Sequence, residues 1–125
     1  MEEDPLAAAI EVLDRHMAAL NARSEAGLAA TLHFPHYRLA SGRMQVWDGP
    51  GHYQRDFMAR AREGWAQSQW VRREPIAVSP EKVHLDVEFE RLRDDGSVIG
   101  RFRSIWVVAR LSGRWGAQLR SSFAA

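Results

Sequence analysis

The 125-residue chain has no cysteine, which excludes disulfides, a thiol nucleophile and any thiolate metal site. It also has no excess of charge of one sign: 17 basic side chains against 16 acidic ones leave a formal net charge of +1. Without a block of like charge there is no electrostatic footprint for nucleic acid or for an anionic membrane surface. No apolar run approaches the roughly 18 residues of a membrane span. Gly49-Pro50-Gly51 lacks both the lysine of a phosphate loop and the G-x-G-x-x-G spacing of a dinucleotide site. The first five residues, Met1-Glu2-Glu3-Asp4-Pro5, are acidic rather than the basic start of a signal peptide, so the expected location is cytoplasmic. What is present is 46% hydrophobic and 26% charged residues, enough for one packed domain over 1–125 and too little for two.

Leu6, Ala9, Ile10, Leu13, Met17 and Leu20 recur at steps of three and four, which predicts an amphipathic helix from about Pro5 to Ala22. Ser24 is placed to cap a short second helix through about Leu32, ended by Pro35. From Phe34 to Trp47 the residues are β-like around Ser41-Gly42, a tight turn in which glycine supplies the positive φ. Asp48 before Gly49-Pro50 reads as a cap and first turn, and Tyr53, Phe57, Ala61 and Trp65 follow at steps of four, giving a third helix to about Glu63 with Gly64 at its end. The remainder reads as strands: Trp70 to Val78, Lys82 to Arg93, Val98 to Leu111 and Arg114 to Phe123.

The last two turns, Asp94-Asp95-Gly96-Ser97 and Leu111-Ser112-Gly113-Arg114, set a register if each loop holds two residues. Glu88 then faces Arg103 and Glu90 faces Arg101. Val83, Leu85, Val87 and Phe89 meet Val108, Trp106, Ser104 and Phe102 on the other face. Carried into the last strand, the same register puts Trp115, Ala117, Leu119, Ser121 and Phe123 on the apolar face, with Gln118, Arg120 and Ser122 on the charged one. The expected fold is α+β, order ααββαββββ, with helices on one face of a curved antiparallel sheet.

An N-terminal helix carrying Arg15-His16-Met17-Ala18-Ala19-Leu20-Asn21-Ala22, a short second helix, a strand pair, a third helix and a long-strand meander with Gly113-Arg114-Trp115 together resemble the nuclear-transport-factor-2-like superfamily, in its polyketide-cyclase-like (SnoaL-like) and ketosteroid-isomerase-like branches. The resemblance implies a cone-shaped half-barrel, a pocket between sheet and helices, and a homodimer. Aligned on it, the isomerases' pocket tyrosine falls on His16, their proton-abstracting aspartate on Ala40 and their protonated aspartate near Trp106. None of the three matches, so steroid-type enol chemistry by that route is not expected.

With Ala40 inward as the resemblance implies, strand alternation also turns His36 and Arg38 inward, and the Ser41-Gly42 turn sets Trp47 across from His36. His16 joins them from the edge of the first helix's apolar stripe. His36 and His16 are the candidate proton-moving groups, since imidazole titrates near neutral pH, and Arg38 is the candidate anion holder. The competing reading is an internal polar network in which these groups satisfy one another. Trp47, Trp65 and Trp106 supply either stacking surface for a ligand or plain packing. Ser104 and Ser121 form a small polar spot that could donate to a ligand carbonyl or simply make room under an aromatic ring, and no Gly-x-Ser-x-Gly elbow presents either as a nucleophile. His33 and His36, three apart on a strand, point to opposite faces and suggest no metal site. On the outer face, Ile105 and Val107 lie amid Glu88, Arg103 and Arg120, an apolar patch rimmed by charge that predicts the dimer contact. The expected function is a cofactor-independent pocket protein for a small, mostly apolar organic molecule carrying a carboxylate or carbonyl, with isomerase, dehydratase or cyclase chemistry if it is an enzyme. The alternative is a non-catalytic interaction module whose cavity is filled by its own side chains.

Overall fold

The computed structural model describes residues 3–61 and 64–124. Along the chain these form α1 (Pro5–Asn21), α2 (Glu25–Thr31), β1 (Leu32–Ala40), β2 (Arg43–Trp47), α3 (Pro50–Ala61), β3 (Gln67–Val78), β4 (Lys82–Leu92), β5 (Val98–Leu111) and β6 (Arg114–Ser122), the order expected from the sequence. Asp4 caps α1 by accepting from the amides of Leu6 and Ala7 at 3.0 and 3.2 Å, with Pro5 in the first turn, where a missing N–H costs nothing. Ser24 caps α2 through the Gly27 amide at 3.0 Å. The expected end of α3 at Glu63 lies outside the described residues.

The six strands form one curved, unclosed sheet in the order β2-β1-β6-β5-β4-β3. Four of its pairings are antiparallel, but β1 and β6 run parallel, which corrects the expectation of a wholly antiparallel sheet. No hairpin turn joins these two strands; α3 and the whole meander lie between them, so nothing forces the antiparallel sense. The three helices cover one face, and the core between the layers is built on Leu13, Leu28, Leu32, Trp47, Tyr53, Leu85, Val87 and Val108.

The β4–β5 register is as derived: Glu88 pairs with Arg103, Glu90 with Arg101, Leu85 with Trp106 and Val87 with Ser104. The β5–β6 register starts as derived and then changes. Ala117 pairs with Val108, but Leu119 pairs with Val107, so Gln118 is an extra residue, a β-bulge, and every side chain beyond it changes face. Its amide donates to the Pro35 carbonyl of β1 at 2.6 Å. As a result Leu119 is 39% exposed and Arg120 only 6%. The expectation that Arg120 belongs to the outer charge lattice and the dimer surface is therefore overturned: it lies inside. Ser121 likewise pairs with Ile105 and faces out, while Ser122 takes the inward place beside Ser104, whose Oγ lies 3.1 Å from its own.

The outer face acquires apolar rows in exchange. Val46, Tyr37, Leu119 and Val107 stand side by side across β2, β1, β6 and β5, and Met44, Leu39, Ser121 and Ile105 form the next row. Beside them runs an ionic lattice in which Arg103 donates to both carboxylate oxygens of Asp86 at 3.0 and 2.8 Å, and Arg72 reaches Asp86 and Glu88 at 3.2 and 3.3 Å.

Candidate functional site

The sheet curls over the helices and leaves a cavity between α1, α3 and the concave face. Alternation along β1 turns His36 and Arg38 to this side, and the bulge in β6 turns Arg120 and Ser122 to it. On α3, Tyr53, Phe57 and Arg60 are spaced four and three apart, so they share one face. The cavity wall comprises His16, Met17 and Leu20 from α1, Tyr53, Phe57 and Arg60 from α3, and Arg38, Ser68, Trp70, Phe89, Arg91, Trp106, Arg120, Ser122 and Ala124 from the sheet and its end. Counted out to its mouth the space is about 440 Å³, but the part that the centre of a water molecule can enter is about 30 Å³. Its enterable part is small, with room for a water or two.

One hydrogen-bond chain runs behind and along this cavity, and its two ends determine every proton on it. Arg120 can only donate: through Nη1 it reaches Nε2 of His36 at 3.0 Å and the Tyr53 hydroxyl oxygen at 2.9 Å. His36 must then be protonated at Nδ1, which donates to the Ala117 carbonyl at 3.0 Å. The Tyr53 hydroxyl, having accepted from Arg120, donates to Nε2 of His16 at 3.2 Å. His16 in turn carries its proton on Nδ1 and donates to Thr31 Oγ1 at 3.1 Å, and Thr31 donates to the Leu28 carbonyl at 3.2 Å.

Both imidazoles are neutral. Burial, aided by the positive charge of Arg120, lowers His16 to about 3 and His36 to about 2. Desolvation disfavours a cation, and a neighbouring cation disfavours it further. The same two causes act on the guanidiniums, lowering Arg38 to about 10 and Arg60 to about 9. Arg38 is held by neutral acceptors, the Ala124 carbonyl at 2.7 Å and Gln45 Oε1 at 3.4 Å. Nε and Nη1 of Arg60, and Nε1 of Trp106, are buried without a hydrogen-bond partner.

Of the residues singled out in the sequence, His16, Arg38 and Trp106 come together in the cavity wall. His36 stands one layer back, behind Arg120, with its ring stacked on Trp47 at 6.1 Å. Trp47 and Trp65 are packing residues with committed N–H groups, Trp47 to Asp56 Oδ2 at 2.7 Å and Trp65 to Ser68 Oγ at 2.9 Å. Ser104 is buried behind Ser122, and Ser121 is on the other side of the sheet. Tyr53, Arg60, Arg91 and Arg120 were not anticipated as site residues. For Arg60 a signal existed, since it lies seven residues after Tyr53 on the inward stripe of α3. For Arg120 the pattern pointed the wrong way.

No family model matches the chain, and no curated protein matches it in sequence. Solved structures do match in shape. A protein of unknown function with a cystatin-like fold from Nostoc punctiforme superposes with a TM-score of 0.76 at 14% identity, over 100% of this chain and 96% of that one. An NTF2-like protein of unknown function from Shewanella oneidensis gives 0.74 at 10% identity, over 96% and 99%. A ketosteroid isomerase assigned as putative, from Shewanella frigidimarina, gives 0.70 at 14% identity, over 92% and 94%. At these identities the likeness is one of fold: the chain adopts the nuclear-transport-factor-2-like, cystatin-like architecture. The scaffold alone does not specify an activity.

Proposed function

We propose that the protein binds a small organic molecule, mostly apolar, in the cavity between α1, α3 and the sheet. The observation that carries this reading is the composition of the wall. Phe57, Trp70, Phe89 and Trp106 line a space beside which the Trp106 indole N–H is buried without a partner. A buried donor without a partner costs about 1–3 kcal/mol, and a ligand acceptor atom at this point removes that cost. The aromatic walls supply contact area with few rotatable bonds to immobilise.

If the bound molecule is turned over, the chemistry we propose is of the cofactor-independent isomerase, dehydratase or cyclase kind, with roles that suit the wall. His16 and His36 are neutral and cannot act as general acids near pH 7. His16 lies in the cavity wall beside Tyr53, whose hydroxyl accepts from Arg120 and donates to His16 and is thereby held as an oriented dipole. His36 acts from behind, by orienting Arg120. Negative charge developing on a substrate oxygen is held by Trp106 and by the guanidiniums, Arg38 among them.

The outer face supports a second element of the reading, a homodimer. The rows Val46-Tyr37-Leu119-Val107 and Met44-Leu39-Ser121-Ile105, bordered by Glu88 and Arg103, make a continuous apolar surface with a charged rim.

A thermal-shift screen against small hydrophobic acids, ketones and lactones tests the pocket, because a ligand selective for the native state raises the melting temperature with concentration. The expected result is a shift that Trp106→Phe diminishes. No shift from any compound would favour the interaction-module reading, in which Trp47, Trp65 and their neighbours simply fill the domain.

A further inference from the structure

We propose that the ligand of this cavity is an organic carboxylate, held by Arg60 and Arg120 with the Trp106 indole N–H as third donor, its flat apolar body lying against Phe57, Trp70 and Phe89. This rests on the reading of the cavity as a ligand pocket and specifies its chemistry.

The first argument is a count of donors against acceptors. Nη1 of Arg120 spends both hydrogens on His36 and Tyr53, while its Nη2 and Nε make no hydrogen bond to a described residue. Arg60 leaves Nε and Nη1 buried and unpartnered, and Trp106 leaves Nε1. The acceptors in the wall are already used: Tyr53 by Arg120, His16 by Tyr53, Ser68 by Trp65, and Ser122 by the Ala124 amide at 3.2 Å. Apart from a second lone pair on the Ser68 hydroxyl, the polar side-chain atoms that remain are donors, and most are cationic. A neutral carbonyl would satisfy the indole but would leave the guanidinium charge uncompensated.

The second argument is electrostatic. Arg60 and Arg120 lie against the same Trp47 ring, at 5.7 and 5.9 Å from its centroid, and Arg120 also lies 4.9 Å from the Trp106 ring. Each is thus close enough to raise the cost of charging the other, and no Asp or Glu among the described residues lines the cavity. Buried charges of one sign without a counter-charge are a standing destabilisation. A bound anion removes it.

The third argument is shape. The enterable space is small and is lined by the rings of Phe57, Trp70 and Phe89, which suits a planar carboxylate on an aromatic or unsaturated body better than a tetrahedral, strongly hydrated phosphate. Guanidinium matches carboxylate geometry and forms charge-assisted bonds to it.

The test uses trans-cinnamate and phenylacetate, their neutral amides, and inorganic phosphate, titrated by calorimetry into wild type, Arg60→Gln and Trp106→Phe. The two acids are expected to bind wild type about tenfold or more tighter than their amides, and Arg60→Gln to erase that difference. Trp106→Phe weakens the acids severalfold while leaving both guanidiniums in the wall. Without ligand, Arg60→Gln melts at or above the wild-type temperature, because it removes an uncompensated buried charge; a fall of several degrees would make Arg60 a structural group and overturn its assignment. Amides that bind as tightly as the acids would overturn the carboxylate proposal and leave the pocket standing. Phosphate binding as tightly as the aromatic acids would overturn the carboxylate and the shape argument together. If neither acids nor amides bind the folded protein at millimolar concentration, both this proposal and the pocket reading fall.

Discussion

Arg120 donates to Nε2 of His36 at 3.0 Å, and this one contact determines the state of a residue that sequence reasoning had cast as an acid or base. With Nε2 accepting from a permanent cation, His36 is held as the neutral Nδ1–H tautomer. His16, reached from Arg120 through Tyr53, is held in the same form. The pair is thereby converted from titrating groups into fixed dipoles that hold Tyr53 and Arg120 in place.

Neutral burial of two imidazoles makes the protein acid-sensitive with a defined sign. An unfolded histidine takes up its proton near pH 6.5, whereas folded His16 does so only at about 3. Between these values the unfolded state binds more protons, so stability falls as pH falls through that window and returns as pH rises. Each such histidine contributes a slope approaching about 1.4 kcal/mol per pH unit. Urea denaturation of His16→Gln between about pH 6 and pH 4 will show a slope shallower than wild type by about that amount. Carboxylate titration is common to both proteins and cancels. Equal slopes would mean that His16 is protonated in the fold.

Removing the Gln118 bulge is expected to leave the register beyond it unchanged. Without Gln118, Ala117 is followed directly by Leu119, which already pairs with Val107, so simple alternation keeps Leu119 outward and Arg120 inward on His36 and Tyr53. What is lost is the bond from Gln118 to the Pro35 carbonyl and the local bend that the extra residue gives β6. The expected cost in chemical denaturation is about 1–3 kcal/mol. A loss of more than about 4 kcal/mol, or failure to fold, would show that the bend itself is required to join β6 to β1.

This bulge also marks where the sequence stopped being legible. The β4–β5 hairpin could be read because Glu88–Arg103, Glu90–Arg101 and Leu85–Trp106 are each sensible pairs and a slip spoils all of them. In β6 the run Ala117-Gln118-Leu119-Arg120 alternates apolar and polar, just as an unbulged strand with one solvated face does, and Gln118 is acceptable on either side. The pattern misleads because the usual preferences are inverted at this point. The cavity takes the guanidinium and the outer surface takes the leucine, and such a local conflict is expected where a site or interface is being built. His16, Arg38 and Trp106 were placed on the inner side because helix and strand periodicity hold where they lie, with the resemblance setting which side of β1 faces in. The parallel β1–β6 pairing had no local signal, since no turn connects the two strands.

Asn21, which closes α1, is expected to matter for stability rather than chemistry. Its side-chain amide makes two bonds to the backbone of Ser68, donating to the carbonyl and accepting from the amide, both at 2.8 Å. It thus ties the end of α1 to the start of β3 as a neighbouring strand would. Asn21→Ala will cost about 1–3 kcal/mol in urea denaturation and will speed hydrogen exchange of the Ser68 amide. Wild-type exchange at Ser68 in the variant would show the tie to be dispensable.

The outer sheet face makes the last prediction. Leu119 and Ile105 both project from it, Leu119 paired with Val107 and Ile105 with Ser121, while Met44, Val46 and Leu39 nearby are 45–58% exposed. Apolar side chains of this size on adjacent strands form a patch that water disfavours, and a second copy related by a two-fold axis would cover it with the same patch. Leu119→Asp and Ile105→Asp each set a carboxylate in the middle of that contact, where desolvation without a partner is costly. Neither touches the cavity, so both variants remain folded. Light scattering behind size exclusion will give a dimer mass for wild type and a monomer mass for each variant, whereas Arg101→Gln, out on the charged rim, stays dimeric. A wild-type protein that is monomeric at tens of micromolar, or variants whose mass does not change, would assign the exposed rows to some other partner.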